Sequence, residues 1–215
     1  MKLNKDILLF DLDGTITDSG LGIINCIKYS AEVLGLGEPD CDYNLFIGPP
    51  LYNTYTEHFG CDHDLAWKAI EAYRVRYNDI GWKENYVYDG VEEMLKNLKE
   101  KGKTLLVATS KPEKAAVRIL EYFGLAKYFD YIGGADYEGK LATKADVINY
   151  VFETMKVEDK SKAIMIGDRY HDVNGAKEIG IECIGITYGY GDREELEGAG
   201  AEYVFDTALE VAEAF

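Results

Sequence analysis

Positive charge is scarce in this chain. Lysine and arginine number 23 against 39 aspartates and glutamates, a formal net charge of −16 over 215 residues. Nucleic acids and anionic membranes are gripped by clustered positive charge, so neither is an expected partner. The imbalance also constrains chemistry on anionic groups. A phosphate would be repelled unless a cation and local donors focused positive potential at one place, so phosphate chemistry here calls for a metal. Long apolar runs are missing too. No stretch approaches the roughly 18 apolar residues of a membrane-spanning helix. The start, Met1-Lys2-Leu3-Asn4-Lys5-Asp6 before a short apolar run, lacks the long apolar region and cleavage site of a secretory signal. Cysteine is sparse: Cys26, Cys41, Cys61 and Cys183 form no C-x-x-C pair and adjoin no histidine cluster in the sequence. That excludes the common zinc and redox spacings. Free thiols suit a reducing compartment, and a cytoplasmic location is the expectation.

What is present is a globular composition. Hydrophobic residues make up 47%, enough for a sizeable core. At roughly 150 residues per domain, the length fits one large domain or a core with an insertion. Residues 7–10 (Ile-Leu-Leu-Phe) form a continuous apolar run, the pattern of a strand buried on both faces. Thr104–Ala108, Ala163–Ile166 and Ile181–Ile186 look alike, with fainter runs at Tyr131–Gly133 and Tyr203–Phe205. Between them lie helical stripes. Val91, Met94, Leu95 and Leu98 share one face before Gly102; Glu113–Phe123 ends at Gly124; Val147, Ile148, Val151 and Phe152 mark a helix over 143–155. Alternating strands and helices from residue 84 onward predict an α/β fold, a Rossmann-like parallel sheet core flanked by helices. Residues 18–83 break that rhythm. They read as helices near 20–35, 50–59 and 63–80, punctuated by Gly37–Pro39 and Gly48–Pro50, and predict an inserted all-helical domain. The expected division is a core of 1–17 with 84–215 and an insert of 18–83.

In an open parallel sheet, ligands bind beyond the carboxyl ends of the strands. The first strand ends in Asp11-Leu12-Asp13-Gly14-Thr15. Two carboxylates so close repel each other, and an oxygen-preferring Mg²⁺ would relieve the repulsion; a solvated turn also fits. The second ends in Thr109-Ser110-Lys111-Pro112. Its hydroxyls suit a phosphate, or serve as an ordinary helix cap. Lys144 opens the helix before the fourth strand, where a lone lysine is most often solvated. The fourth strand ends in Gly167-Asp168-Arg169-Tyr170-His171-Asp172, acids that also simply favour a helix N-terminus.

Taken together, these strand ends resemble the four motifs of the haloacid dehalogenase-like hydrolase superfamily over nearly the whole chain. Asp11-Leu12-Asp13-Gly14-Thr15 is similar to the first motif, Thr109 to the second, Lys144 to the third and Gly167-Asp168-x-x-x-Asp172 to the fourth. Gly48-Pro49-Pro50-Leu51 and Tyr188-Gly189-Tyr190-Gly191 resemble the phosphoglycolate phosphatase-like branch. Lys140 rivals Lys144 for the third motif; Lys144, three residues before the apolar stripe, is preferred. Ser110 stands where many relatives carry Asn.

The resemblance implies a Mg²⁺-dependent phosphatase, a phosphoric monoester hydrolase acting on a small phosphorylated metabolite such as phosphoglycolate, a nucleotide or a sugar phosphate. It implies Asp11 as nucleophile and Asp13 as general acid–base. Thr109, Ser110, Gly14 and Lys144 would bind the phosphate; Asp11, Asp168, Asp172 and the Asp13 carbonyl would hold the metal. The insert would act as a cap, hinged near 17–20 and 83–89. Most of the cap tyrosines read as core or surface packing; Tyr52 and Tyr55, after the Gly-Pro-Pro loop, are the ones best placed to face substrate. A phosphosugar mutase of the β-phosphoglucomutase type and a non-catalytic phosphate-binding module are the alternatives. A monomer or homodimer is expected.

Overall fold

The structure, a computed structural model, describes residues 2–136, 140–141 and 143–215. Backbone contacts divide it into two compact units, residues 1–17 with 87–215 and residues 18–86. The larger unit opens on β1 (Ile7–Phe10). It resumes with α4 (Val91–Glu100), β4 (Thr104–Pro112), α5 (Glu113–Tyr122), β5 (Tyr131–Ala135), α6 (Lys144–Met155) and β6 (Ala163–Gly167). It ends with α7 (Tyr170–Ile179), β7 (Glu182–Ile186), α8 (Arg193–Ala199), β8 (Tyr203–Phe205) and α9 (Ala208–Glu213). The six strands form one sheet in the order β5-β4-β1-β6-β7-β8, every pair parallel. The Rossmann-like α/β core expected from the apolar runs is therefore present.

Strand order determines where the site can form. From β1 the chain moves outward through β4 to β5, then crosses back to β6 and runs the other way. Right-handed crossovers place the helices of the two directions on opposite faces. The reversal leaves a crevice at the carboxyl ends of β1 and β6, the usual ligand position in such sheets. One face is closed by Leu9, Leu106 and Met165 from the strands against Val147, Ile148, Val151 and Phe152 of α6 and Val173 and Ala176 of α7. These side chains are almost wholly removed from water, and each of the larger ones stabilises the core by roughly 1.5–3 kcal/mol. In register, Phe10 pairs with Val107 on one side and Ile166 on the other. Asp11, the next residue, thus emerges where the sheet ends.

The smaller unit holds α1 (Gly20–Leu34), α2 (Leu51–Asn53) and α3 (His63–Asp79), with short 3₁₀ turns. The helix expected over 50–59 is shorter: α2 widens after Asn53 into a π-type turn, Thr54–His58. The two connections to the core pair as a ribbon of β2 (Thr17–Asp18) and β3 (Tyr86–Val87), apart from the main sheet. Tyr55 is fully buried, its hydroxyl 2.5 Å from Ser30 Oγ. It is a core residue of this unit, the packing role expected of most tyrosines in this segment, rather than one placed to face substrate. Tyr52 contacts His63, hydroxyl to Nδ1 at 3.1 Å. All four cysteines are free thiols. Folding does bring one histidine to a thiol, His58 Nδ1 lying 3.6 Å from Cys41 Sγ. Among the described residues no helix is long and apolar enough to cross a membrane.

Candidate active site

Three carboxylates meet at the crevice. Asp11 follows β1, Asp168 follows β6, and Asp172 lies in the first turn of α7; all are buried, with ligand oxygens within 4.8 Å of one another. Their backbones are held by the fold: Asp11 N donates to Ile166 O at 2.9 Å, extending the sheet ladder by one residue. Asp172 divides its oxygens. Oδ2 accepts from Arg169 N at 3.2 Å and caps α7; Oδ1 faces Lys144. Asp168 Oδ2 accepts from Tyr190 N at 2.8 Å, and its Oδ1 lies 3.4 Å from Thr15 Oγ1.

Lys144 is the cation among them. Its helix α6 is started by a reciprocal cap between Thr143 and Asp146, which sets the first turn and aims Lys144 inward. The ammonium lies 2.8 Å from Asp11 Oδ1 and 2.8 Å from Asp172 Oδ1, and donates to Ala108 O at 3.2 Å. Gly175 of α7 makes the approach possible: a Cβ there would stand 2.7 Å from the Lys144 stem. Of the two lysines the sequence leaves open, Lys140 is exposed, with its amide on Asp136 Oδ1. Glu138, Gly139 and Ala142 of that loop lie outside the described residues.

The electrostatics are those of an overfull acidic site. Burial raises the Asp11 carboxyl above its usual range; Lys144 opposes this, Asp172 adds to it, and the Thr109 hydroxyl bonds the ionised form. Burial, then Asp172 and Asp11, push Asp168 well above the ordinary carboxylate range. Desolvation works against the Lys144 ammonium, but Asp11 and Asp172 outweigh it and raise its pKa. Asp11 Oδ1 and Asp172 Oδ1 are buried without an aligned hydrogen bond although each is ion-paired to Lys144. A set of three buried oxygen donors with net negative charge and unsatisfied lone pairs fits a hard divalent cation such as Mg²⁺.

The other expected residues fall into place unevenly. Thr109 is buried against Asp11. Ser110, the next residue, is exposed, as alternation along an extended chain requires. Gly14 has φ +89°, and its amide donates to Thr17 O at 2.8 Å, so it offers the site room rather than an amide. A Cβ on Gly14 would collide with the Asp168 carboxylate. The Asp13 carboxylate stands outside the acidic trio, 2.6 Å from Lys111 Nζ. Lys111 is the residue that sequence reasoning passed over. The available signal was its spacing: two residues past Thr109, it lies on the same side of an extended segment. Tyr188 and Tyr190, from the motif that resembles the branch, also reach this neighbourhood. The Tyr188 hydroxyl donates to Thr15 O at 3.0 Å, and Gly189 and Gly191 pack so closely on Gly14 and Asp168 that no side chain fits.

Comparison with known proteins agrees with this geometry. The family described as haloacid dehalogenase-like hydrolase matches residues 8–186. A 5'-nucleotidase of Pseudomonas aeruginosa is 40% identical over 190 residues, 88% of this chain and 86% of that one. A phosphoglycolate phosphatase of Vibrio parahaemolyticus is 31% identical, over 96% of this chain and 94% of its own. Tyrosine-protein kinase PtkA of Mycobacterium tuberculosis is 36% identical over 90% of this chain, which spans 66% of PtkA. A solved structure from Clostridium acetobutylicum, described as a predicted phosphatase, superposes with a TM-score of 0.91 at 44% identity, covering 97% of both chains. The chain belongs to the haloacid dehalogenase-like hydrolase family, in its phosphoglycolate phosphatase-like branch.

Proposed function

We propose that the protein is a Mg²⁺-dependent phosphatase that hydrolyses small phosphomonoesters through a phosphorylated Asp11. The observation that carries this reading is the Lys144 ammonium bridging Asp11 and Asp172 at 2.8 Å each, at the carboxyl end of the sheet. A buried carboxylate facing one ammonium and two further acids is a nucleophile placed where an anionic group can be received only with added positive charge.

An oxygen of Asp11 forms a bond to phosphorus as the ester oxygen departs, splitting one difficult step into two. Asp13 gives that oxygen a proton; as carboxylate it then takes a proton from water, which attacks phosphorus and frees Asp11 and inorganic phosphate. Thr109 and Lys144 donate to the oxygens of the transferring group, where charge must be neutralised. Asp11, Asp168 and Asp172 would hold the Mg²⁺, which when bound supplies further neutralisation of that charge. The Asp13 carboxylate, paired with Lys111, is outside this ligand set, and its part is proton transfer. The inserted helical unit acts as a cap that excludes water during the first step. Names of the relatives, 5'-nucleotidase and phosphoglycolate phosphatase, support small phosphorylated metabolites as substrates.

The test is Asp11→Asn, which keeps shape and removes the nucleophile. With Mg²⁺ and an aryl phosphate, kcat should fall by at least about 10³-fold. Activity within tenfold of wild type would sink the assignment.

A further inference from the structure

From the contact between Lys111 and Asp13 we infer that Lys111 is a positioning residue for catalysis, anchoring one oxygen of the Asp13 carboxyl so that proton transfer falls to the other. The inference rests on Asp13 being the general acid–base proposed above. Lys111 Nζ lies 2.6 Å from Asp13 Oδ2, and the two side chains are only 7% and 12% exposed. That shielding separates the pair from surface ion pairs, which contribute little.

The backbones on both sides are already fixed. Asp13 forms a bridge with Thr17, and the Gly14 amide closes the same turn on Thr17 O at 2.8 Å. Lys111 stands on the extension of β4, where its amide donates to Thr109 Oγ1 at 3.2 Å. After this irregularity Pro112 rejoins the register opposite Ala135. Thr109, buried at the end of β4's apolar run, therefore also sets the main chain from which Lys111 reaches Asp13. The carboxyl of an aspartate turns in a broad, roughly two-fold well about its last torsion, and an ammonium on Oδ2 narrows that freedom. Oδ1 then carries the proton to the leaving oxygen in the first step and receives one from water in the second. Misplacing a catalytic group by about 1 Å can cost about 10²-fold, and that is the expected scale of the effect.

The test uses leaving groups. An alkyl phosphate such as glycerol phosphate must be protonated as it departs; dinitrophenyl phosphate need not be. Lys111→Met should lower kcat/KM for the alkyl ester about 10²-fold and for the aryl ester at least tenfold less, and Lys111→Arg should restore most of the loss. Lys111→Gln is carried alongside, with melting curves, so that a misfolded variant does not decide the matter. Equal losses on both esters in a folded variant would overturn the inference. Asp13→Asn separates the two readings. If it shows the leaving-group bias and the Lys111 variants do not, only the role of Lys111 is wrong; if it shows no bias, the acid–base assignment of Asp13 falls and the inference falls with it.

Discussion

Removing the charge of Lys144 should damage stability and activity together, in a way that depends on pH. The ammonium is 2.8 Å from carboxylate oxygens of both Asp11 and Asp172. At an effective dielectric of about 20, each contact is worth about 6 kcal/mol of Coulomb attraction. Desolvating a buried ammonium takes back much of that, and removing one partner of a buried pair costs about 3–5 kcal/mol net. For a chain of this size that lowers Tm by about 6–20 °C. Lys144→Met should melt that much earlier than wild type in metal-free buffer at neutral pH. Acid should narrow the gap. Asp11 and Asp168 have pKa values raised in the folded state, so their contribution to stability is present below the unfolded carboxylate range and is lost as pH rises through the raised folded values. Without Lys144 the Asp11 carboxyl loses the ammonium that opposes its rise, and the variant suffers most where the acids are ionised. Protonating them at about pH 4 removes much of its handicap. Thermal melts of both proteins across this range, with kcat on an aryl phosphate falling at least about 10²-fold, form the assay. A Tm difference under about 2 °C at neutral pH, or one that widens on acidification, would refute the reasoning.

Two further outcomes follow from the same site. Chelation should abolish turnover and Mg²⁺ restore it, whereas Ca²⁺, with a larger and looser coordination shell, should inhibit; Mg²⁺ at about 100 times its Kd should also stabilise the fold by about 2.7 kcal/mol, read as a rise in Tm, and full activity in chelated enzyme would contradict the metal assignment. With a hexose 1-phosphate, phosphorus NMR should show inorganic phosphate released in step with any turnover; a hexose 6-phosphate signal growing faster would replace the phosphatase with a mutase.

Much of the core was readable because burial leaves a periodic mark. Strands covered on both faces carry continuous apolar runs, and 7–10, 104–108 and 163–166 all mark true strands. Their ends are where the acids stand, so Asp11 and Asp168 were visible as strand termini. Lys144 was visible as the first residue of an apolar-striped helix. What escaped depends on contacts distant in sequence. Lys111 meets Asp13 across 98 residues, and an isolated lysine reads as solvated until the partner is known. The strand also runs past its apolar stretch to Pro112 through an irregularity, which no hydrophobic pattern marks. Tyr55 escaped for the same reason: its place after the Gly-Pro-Pro loop suggested a residue facing substrate, but Ser30, 25 residues away, meets its hydroxyl in the buried core of the smaller unit.

Charge connects the whole chain to its centre. A protein of net charge −16 repels phosphate at long range, and the trio of Asp11, Asp168 and Asp172 repeats that repulsion at close quarters. One ammonium cannot balance three buried carboxylates, and burial together with the neighbouring acids raises the pKa values of Asp11 and Asp168. That cost is tolerable because the oxygens are held by groups that do not depend on the metal. Tyr190 N fixes Asp168, Arg169 N fixes Asp172, and the sheet ladder fixes the Asp11 backbone. A ligand set held in this way loses little freedom on taking up a cation, so more of the binding energy is realised as affinity. The second lysine has a separate task. Lys111 pairs with Asp13, and Lys144 with Asp11 and Asp172. On the proposed mechanism, Asp11 as nucleophile and Asp13 as proton carrier, two residues apart in sequence, would thereby have different counterions, as one must remain ionised while the other passes a proton in each direction.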